Sequence, residues 1–161
     1  MIVIDKNLTD KLAKEAAIHP RKRKNHNFHR EFSDPMNRML HAMEPETYVQ
    51  PHKHENPDKR EAFIILKGKV AVIEFDDAGN IREHIILDPV TGNYGAEIRP
   101  RTWHCLIALE KGSIVYEVKD GPYDPSDDKF FASWAPAEGE AGTENYRNSI
   151  LKKIRIQQNE L

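Results

Sequence analysis

The sequence lacks the features on which several classes of protein depend. Only one of its 161 residues is a cysteine, Cys105, which excludes an intrachain disulfide framework and a CxxC redox or zinc motif. Apolar runs last only a few residues, whereas a helix needs roughly 20 to cross a bilayer. The 24 basic and 26 acidic residues nearly cancel, so no overall field attracts nucleic acid or an anionic membrane. We therefore expect a cytoplasmic protein with neither partner.

Several catalytic and targeting motifs are also missing. The chain has no GxxxxGK or GxGxxG loop to hold phosphates, and no GxSxG elbow to expose a serine nucleophile. The apolar run at residues 2–4 is too short for a signal peptide, so we expect none. The length fits one domain of ordinary size.

Two helices are predicted to flank a region of short strands. Leu8, Leu12 and Ala16 recur every four residues, which predicts a helix. We place it at residues 7–17, because Pro20 disfavours helical geometry at the residue before it. A similar spacing predicts a C-terminal helix from about Thr143 onward.

Between the helices, short apolar runs alternate with turn residues, and their even spacing indicates a sandwich or barrel of strands. The fold class is therefore mainly β, in a single domain. We divide it into residues 1–35, an N-terminal helix and basic arm packed on the barrel; residues 36–119, the β-barrel core; and residues 120–161, a C-terminal loop and helix.

The strongest chemical signal is the run His52-Lys53-His54. Residues two apart on a strand point to the same side, so the two imidazoles can bind one metal ion. Glu61 can add a carboxylate where the next strand begins, and His104 can add a third imidazole from a distant strand. Three histidines and one carboxylate suit one divalent or trivalent ion of Fe, Mn, Ni, Cu or Zn. The alternative is that His52 and His54 lie on a solvated strand edge.

The spacing of these residues is similar to that of a known superfamily. His52-x-His54-x6-Glu61-x6-Gly68 resembles the first cupin motif, with Gly68 where that superfamily closes a hairpin. The separation of His54 and Glu61 is longer than usual, and an insertion at Asn56-Pro57 accounts for it as a bulged loop. The resemblance implies a cupin-type β-sandwich or jelly roll with His52, His54 and Glu61 as metal ligands.

The second cupin motif is matched over residues 98–104, which supply a strand, a proline and the ligand His104. Arg101 stands at the usual glycine position, and Ala108 stands where an asparagine is expected. These departures weaken claims about second-motif functions but leave His104 as the fourth ligand. Strand alternation turns Trp103 and Cys105 away from the metal, and Cys105 is predicted to be a core residue.

The segments on either side of the metal motif indicate a particular family within the cupin superfamily. Residues 25–29, the strand with the two histidines and residues 121–136 together resemble the WbuC-type cupin metalloproteins, over about Pro20 to Glu138. Those proteins are associated with gene clusters for O-antigen (lipopolysaccharide) and other surface polysaccharides. The resemblance implies a metal-dependent cupin acting on a sugar or sugar nucleotide, as an isomerase or epimerase. Two alternatives stay open: a cupin dioxygenase, and a non-catalytic metal-held sugar-binding or sensor module.

A basic arm, His19–Arg30, holds five positive charges and no acid, although the chain as a whole is slightly acidic. We predict that it closes over the metal pocket and selects a small anionic or sugar-like ligand, rather than lying as a solvated tail. The predicted ligand-binding residues are Arg21, Arg23, Asn25, Arg99 and Arg101.

Proton transfer in such a pocket needs a titratable side chain. The candidates for the proton carrier are His26, His29 and Tyr123. His41 is predicted to be a hydrogen-bonded core or pocket residue.

Aromatic residues late in the chain bear on assembly. Phe130, Phe131 and Trp134 form a cluster that one small domain does not fully bury. Exposed strand edges also invite pairing with another chain, so we predict a homodimer.

Overall fold

Two antiparallel sheets of five strands each form the centre of the computed structural model, which describes residues 1–159. Along the chain the elements are α1 (Lys6–Ile18), β1 (Arg23–Asn27), β2 (Met36–Met43), β3 (His52–Lys53), β4 (Glu61–Lys67), β5 (Val70–Phe75), β6 (Ile81–Leu87), β7 (Gly95–Ile98), β8 (Trp103–Ala108), β9 (Ser113–Asp120), β10 (Phe130–Phe131) and α2 (Thr143–Asn159). One sheet has the order β1-β2-β9-β4-β7, and the other β10-β3-β8-β5-β6.

The N-terminal helix forms where its spacing predicts it. Asp5 caps α1, since its carboxylate accepts a hydrogen bond from the Leu8 N–H at 2.9 Å. Leu12 and Ala16 are buried against the outer side of the first sheet, on Leu40 and other apolar residues. The predicted helix is confirmed and is one residue longer at each end.

The main core lies between the two sheets. Strand alternation turns Phe63, Ile65 and Val115 of the first sheet toward Val72 and Leu106 of the second. All five side chains are buried. This packing fixes the distance between the sheets and so the width of any space left at one end of the sandwich.

A second apolar layer covers the back of the β10-β3-β8-β5-β6 sheet. Ile150 and Ile154 of α2 pack there against Ile73 and Ile107. Cys105 is buried in the same layer, and burial raises the pKa of its thiol. The residue is therefore a small core side chain, as its position next to His104 predicts.

Both flanking segments contribute strands to the sandwich as well as packing on it. Part of the basic arm is β1, which pairs with β2 from Arg23 opposite Met43 to Asn27 opposite Met39. The arm is thus an edge strand and not a solvated tail. From the C-terminal segment 120–161, β10 pairs with β3; the last two residues of that segment lie outside the described residues.

No helix among residues 1–159 combines the length and the apolar character that a membrane crossing requires.

Candidate metal centre

Four buried side chains meet at one end of the sandwich. His52 is on β3, and His54 is the first residue after that strand. Glu61 is the first residue of β4. His104 is on β8, where it lies opposite His52 in the strand register. A turn at residues 55–58 brings the chain from His54 back to Glu61, as predicted for the longer spacing. One ligand atom from each residue lies within 4.8 Å of the others, so the four can hold one metal ion.

The orientation of each imidazole is set by a main-chain carbonyl. Nδ1 of His52 donates to the Gln50 carbonyl at 2.9 Å, and Nδ1 of His104 donates to the Thr102 carbonyl at 2.9 Å. Nδ1 of His54 donates to the carbonyl of Asp128. Because a carbonyl only accepts, these hydrogen bonds assign the proton to Nδ1 and leave a lone pair on each Nε2. That is the tautomer a metal ligand needs.

Glu61 brings a carboxylate oxygen close to two imidazole nitrogens. Its Oε1 lies 3.2 Å from Nε2 of His54 and 2.5 Å from Nε2 of His104. The Nε2 atom of His104 is buried without a hydrogen-bond partner. In the neutral imidazoles these nitrogens and the carboxylate oxygen are all acceptors, so they repel unless a proton or a metal ion lies between them.

The pKa shifts at the site agree with this charge pattern. Burial raises the pKa of Glu61, but the neighbouring His104 and His54 outweigh burial and hold this pKa well below its usual range. Burial alone would lower the pKa of His104, but Glu61 raises it. Burial keeps the pKa of His52 well below its usual value, so that imidazole is neutral. A set of imidazole nitrogens and one carboxylate fits a divalent transition metal.

Two of the four residues border a cavity of about 350 Å³. His52 and Glu61 form part of its wall, and Phe63 and Leu106 add apolar surface. The cavity is also lined by four basic side chains: Arg21, Arg23, Lys24 and Lys129. A small ligand in this space would therefore touch the candidate metal site and a cationic surface at once.

Three of the predicted ligand-binding residues line this cavity: Arg21, Arg23 and Asn25. Both arginines bind Glu138, with Arg21 Nε at 2.7 Å from Oε1 and Arg23 Nη2 at 2.7 Å from Oε2. Arg23 also donates to the Tyr48 carbonyl at 2.7 Å. An internal carboxylate thus occupies the two guanidinium groups that the sequence predicts as an anion site.

The structure places the other two predicted ligand-binding residues away from the cavity. Arg99 is exposed and lines a separate depression beside His84. Arg101 is exposed and pairs with Asp58 at 2.8 Å. Its backbone φ is 65°, a left-handed conformation that favours glycine, and its N–H donates to the His54 carbonyl at 2.9 Å. The backbone at Arg101 therefore keeps the conformation expected for the glycine that occupies this position in the second cupin motif.

None of the three predicted proton carriers lines the cavity. His26 packs edge-on against Phe28, with ring centres 4.9 Å apart, because alternation along β1 turns it away from Asn25. His29 is buried after the end of β1, where its Nδ1 lies 3.1 Å from the main-chain nitrogen and oxygen of Arg38. Tyr123 packs on Phe32 in the loop before β10.

A histidine–glutamate pair occupies the cavity instead. Nε2 of His41 on β2 lies 2.5 Å from Oε2 of Glu117 on β9, and Nδ1 of His41 lies 2.7 Å from Oδ1 of Asn25. Burial opposes ionisation of Glu117, but His41 outweighs burial and lowers its pKa. His41, predicted to be a hydrogen-bonded core or pocket residue, lines the cavity, and Glu117 was not predicted. The one feature of the sequence that could have indicated Glu117 is its position on a mainly apolar strand, where alternation turns it toward the inside of the sandwich.

The two-sheet sandwich has the fold of the cupins. Solved structures with the same fold include a cupin superfamily protein from Desulfitobacterium hafniense, with 13% identity, 68% of this chain and 86% of that chain covered, and a TM-score of 0.51. KdgF from Halomonas sp. matches with 16% identity, 68% and 87% coverage, and a TM-score of 0.51. The salicylate 1,2-dioxygenase from Pseudoaminobacter salicylatoxidans matches with 12% identity, 74% and 33% coverage, and a TM-score of 0.54. The predicted cupin fold is confirmed.

A family model described as a domain of unknown function (DUF6016) matches residues 4–87, and the chain belongs to that family. The matched part contains three of the four candidate ligands: His52, His54 and Glu61. No curated protein matches the chain.

Proposed function

We propose that this chain is a metal-dependent cupin that isomerises or epimerises a small anionic sugar derivative, such as a sugar nucleotide. One observation carries the proposal. Three imidazoles with free Nε2 lone pairs and one carboxylate converge beside a cavity that is lined by basic side chains. Cation ligands and a cationic wall in one cavity suit an anionic substrate whose reacting oxygen approaches the metal site.

The candidate metal ligands and the basic residues that line the cavity have different roles in this proposal. When bound, the metal ion supplies a Lewis acid for a carbonyl or hydroxyl oxygen of the substrate. His52, His54, Glu61 and His104 hold it. Lys24 and Lys129, which line the same cavity, attract the anionic group of the substrate.

The His41–Glu117 pair moves the proton. The ring nitrogens of His41 hydrogen-bond with Asn25 and Glu117, which fixes the imidazole ring and orients the carboxylate. Glu117 would then remove a proton from the carbon beside the substrate carbonyl. Return of this proton to the opposite face of the same carbon gives epimerisation. Its return to the former carbonyl carbon gives isomerisation, in which the adjacent hydroxyl proton moves to the former carbonyl oxygen. His26, His29 and Tyr123 are not needed for this step, because the cavity already contains a buried acid–base pair.

Exchange with solvent deuterium tests the proposal. The metal-loaded protein is incubated in D₂O with a panel of nucleoside diphosphate sugars and observed by ¹H NMR. We expect deuterium at a ring carbon of one sugar, lost in Glu117→Gln and retained in the control Glu97→Gln, an exposed acid on β7. Oxygen consumption without exchange would favour a dioxygenase, and binding without either reaction would favour a non-catalytic module.

The proposed pathway rests on the sequence resemblance, whereas the location rests on the composition and the dimer on the aromatic cluster. We propose a WbuC-type role in O-antigen or other surface polysaccharide biosynthesis, in the cytoplasm and as a homodimer. The identity of the metal among Fe, Mn, Ni, Cu and Zn stays a prediction of the ligand set. The absence of nucleic-acid and membrane partners likewise stays a prediction from the charge balance.

A further inference from the structure

Three charged side chains are buried together behind the candidate metal centre. Lys59 and Asp128 are each 2% exposed, and Lys119 is 4% exposed. Nζ of Lys59 lies 2.9 Å from Oδ1 of Asp128, and Nζ of Lys119 lies 2.6 Å from Oδ2. Lys59 also donates to the Pro122 carbonyl at 2.6 Å. One carboxylate therefore holds two buried ammonium groups. We call Lys59, Lys119 and Asp128 the lysine–aspartate cluster.

The energetics of the cluster call for an explanation beyond fold stability. Burying charges costs solvation energy, and replacing a buried ion pair by apolar residues is often neutral or stabilising. Here two cations share one anion, so a positive charge stays uncompensated within the cluster. Asp128 nevertheless keeps a pKa below its usual value, because the two lysines outweigh the effect of burial.

Each member of the cluster is tied to a metal ligand by the chain or by the sheet. Lys59 lies two positions before Glu61, and Lys119 is the partner of Glu61 in the register of β4 and β9. Asp128 contacts the site itself, since its main-chain carbonyl accepts the hydrogen bond from Nδ1 of His54. The side chain of Asp128 thus anchors a loop residue whose carbonyl sets the orientation of a ligand.

We infer that Asp128 is a positioning residue of the metal centre: its two lysine partners fix the loop so that its carbonyl holds His54 in the metal-binding tautomer. This inference rests on the proposed metal site. Without the lysines, the loop between β9 and β10 lacks a buried attachment at this point, and Nδ1 of His54 loses a fixed acceptor. Partners of this kind are worth about 10–100-fold in metal affinity in other metal sites.

Metal titration of Asp128→Asn tests the inference, because this variant keeps the carbonyl and the side-chain shape but removes the charge. We expect Co²⁺ and Zn²⁺ affinities to fall about 10–100-fold, with a changed Co²⁺ visible absorption spectrum. The matched control is Asp120→Asn, since Asp120 also pairs with a cation, Arg60, but on the surface. The control should keep the affinity and the spectrum of the parent chain.

A second variant keeps the test decisive if Asp128→Asn unfolds. Lys119→Met leaves Asp128 paired with Lys59 alone, and we expect a smaller loss of affinity with the same kind of spectral change. A lowered unfolding temperature of the metal-free variants with unchanged affinity and spectrum would show a purely structural cluster and overturn the inference. If the parent chain binds neither metal, the proposed function fails as well, so the two failures are distinguishable.

Discussion

The Nε2 atom of His104 lies 2.5 Å from Oε1 of Glu61, although its Nδ1 already donates to the Thr102 carbonyl. A neutral imidazole has a single N–H, so the nitrogen and the oxygen that approach each other are both acceptors. A cation between them removes the repulsion. The first prediction tests whether that cation is a metal ion.

Replacing His104 or His54 by alanine should remove most of the bound metal, because each change deletes a ligand with a fixed lone pair. Elemental analysis of the purified protein measures the metal content per chain. His84→Ala is the control, since this histidine lies on β6 away from the four ligands. Parent-level metal content in both variants would contradict the assignment of the ligands.

Gly68→Ala should destabilise the fold by more than about 1 kcal/mol, because φ at Gly68 is +74° and an added Cβ would clash with Oγ of Ser113. Urea unfolding measures the change. The control is Gly92→Ala, which has a similar φ of +88° but no atom within 4 Å of the new Cβ. The difference between the variants isolates the steric contact, and equal losses would mean that only the backbone conformation matters.

Trp103→Ala should cost about 3 kcal/mol of unfolding free energy, the lower end for large aromatic truncations, because the indole is only partly buried. Its ring packs on Trp134 with centres 6.0 Å apart, and Lys53 Nζ lies 4.7 Å from the ring centre. Its Nε1 donates to Asp77 at 2.9 Å. Trp103→Phe keeps the packing and should lose less. If the Trp103→Ala variant were as stable as the parent, the Trp103 ring would be exposed to solvent in the parent chain.

Glu138→Gln should raise the affinity for an anionic probe, because this change frees Arg21 and Arg23 from an internal carboxylate. We suggest uridine diphosphate as the probe and calorimetry as the measurement. Arg23→Ala should lower the affinity without removing the metal. The control is Glu46→Gln, an exposed acid that does not line the cavity. Unchanged binding of the probe in both Glu138→Gln and Arg23→Ala would show that the ion pairs of Glu138 have only a structural role.

Phe131→Glu should shift the protein from dimer to monomer in sedimentation velocity, if β10 forms the predicted interface. Phe130 and Phe131 are 38% and 56% exposed, and β10 lies at the edge of its sheet. Trp134, the third member of the predicted cluster, instead packs within the chain against Phe75. The control is Phe32→Glu, which changes a phenylalanine that is 62% exposed elsewhere. A monomeric parent chain at high micromolar concentration would contradict the prediction.

The four candidate metal ligands could be predicted from the sequence, because the patterns that identify them lie in short segments of the chain. The pair His52 and His54 is visible from strand alternation, and Glu61 begins the next strand. His104 is recognisable from the strand around it. The helices are equally local, since they depend on spacings of four residues.

The rest of the site depends on contacts between distant strands. His41 and Glu117 are 76 positions apart, and Lys59 and Asp128 are 69 apart. Their meeting follows from the register of β1, β2, β9 and β4, which no short segment specifies. The same register turns His26 away from the cavity although it is next to Asn25.

The three imidazoles differ in where their main-chain acceptors come from. His52 and His104 each donate to a carbonyl only two residues earlier, so these rings are oriented by their own strands. His54 depends on a carbonyl 74 positions away, in the loop before β10. Opening of that loop frees His54 while the other two rings stay in place. We therefore expect the exchange rate of a bound metal ion to depend on this one loop, because loss of a single contact would free one of the three imidazoles.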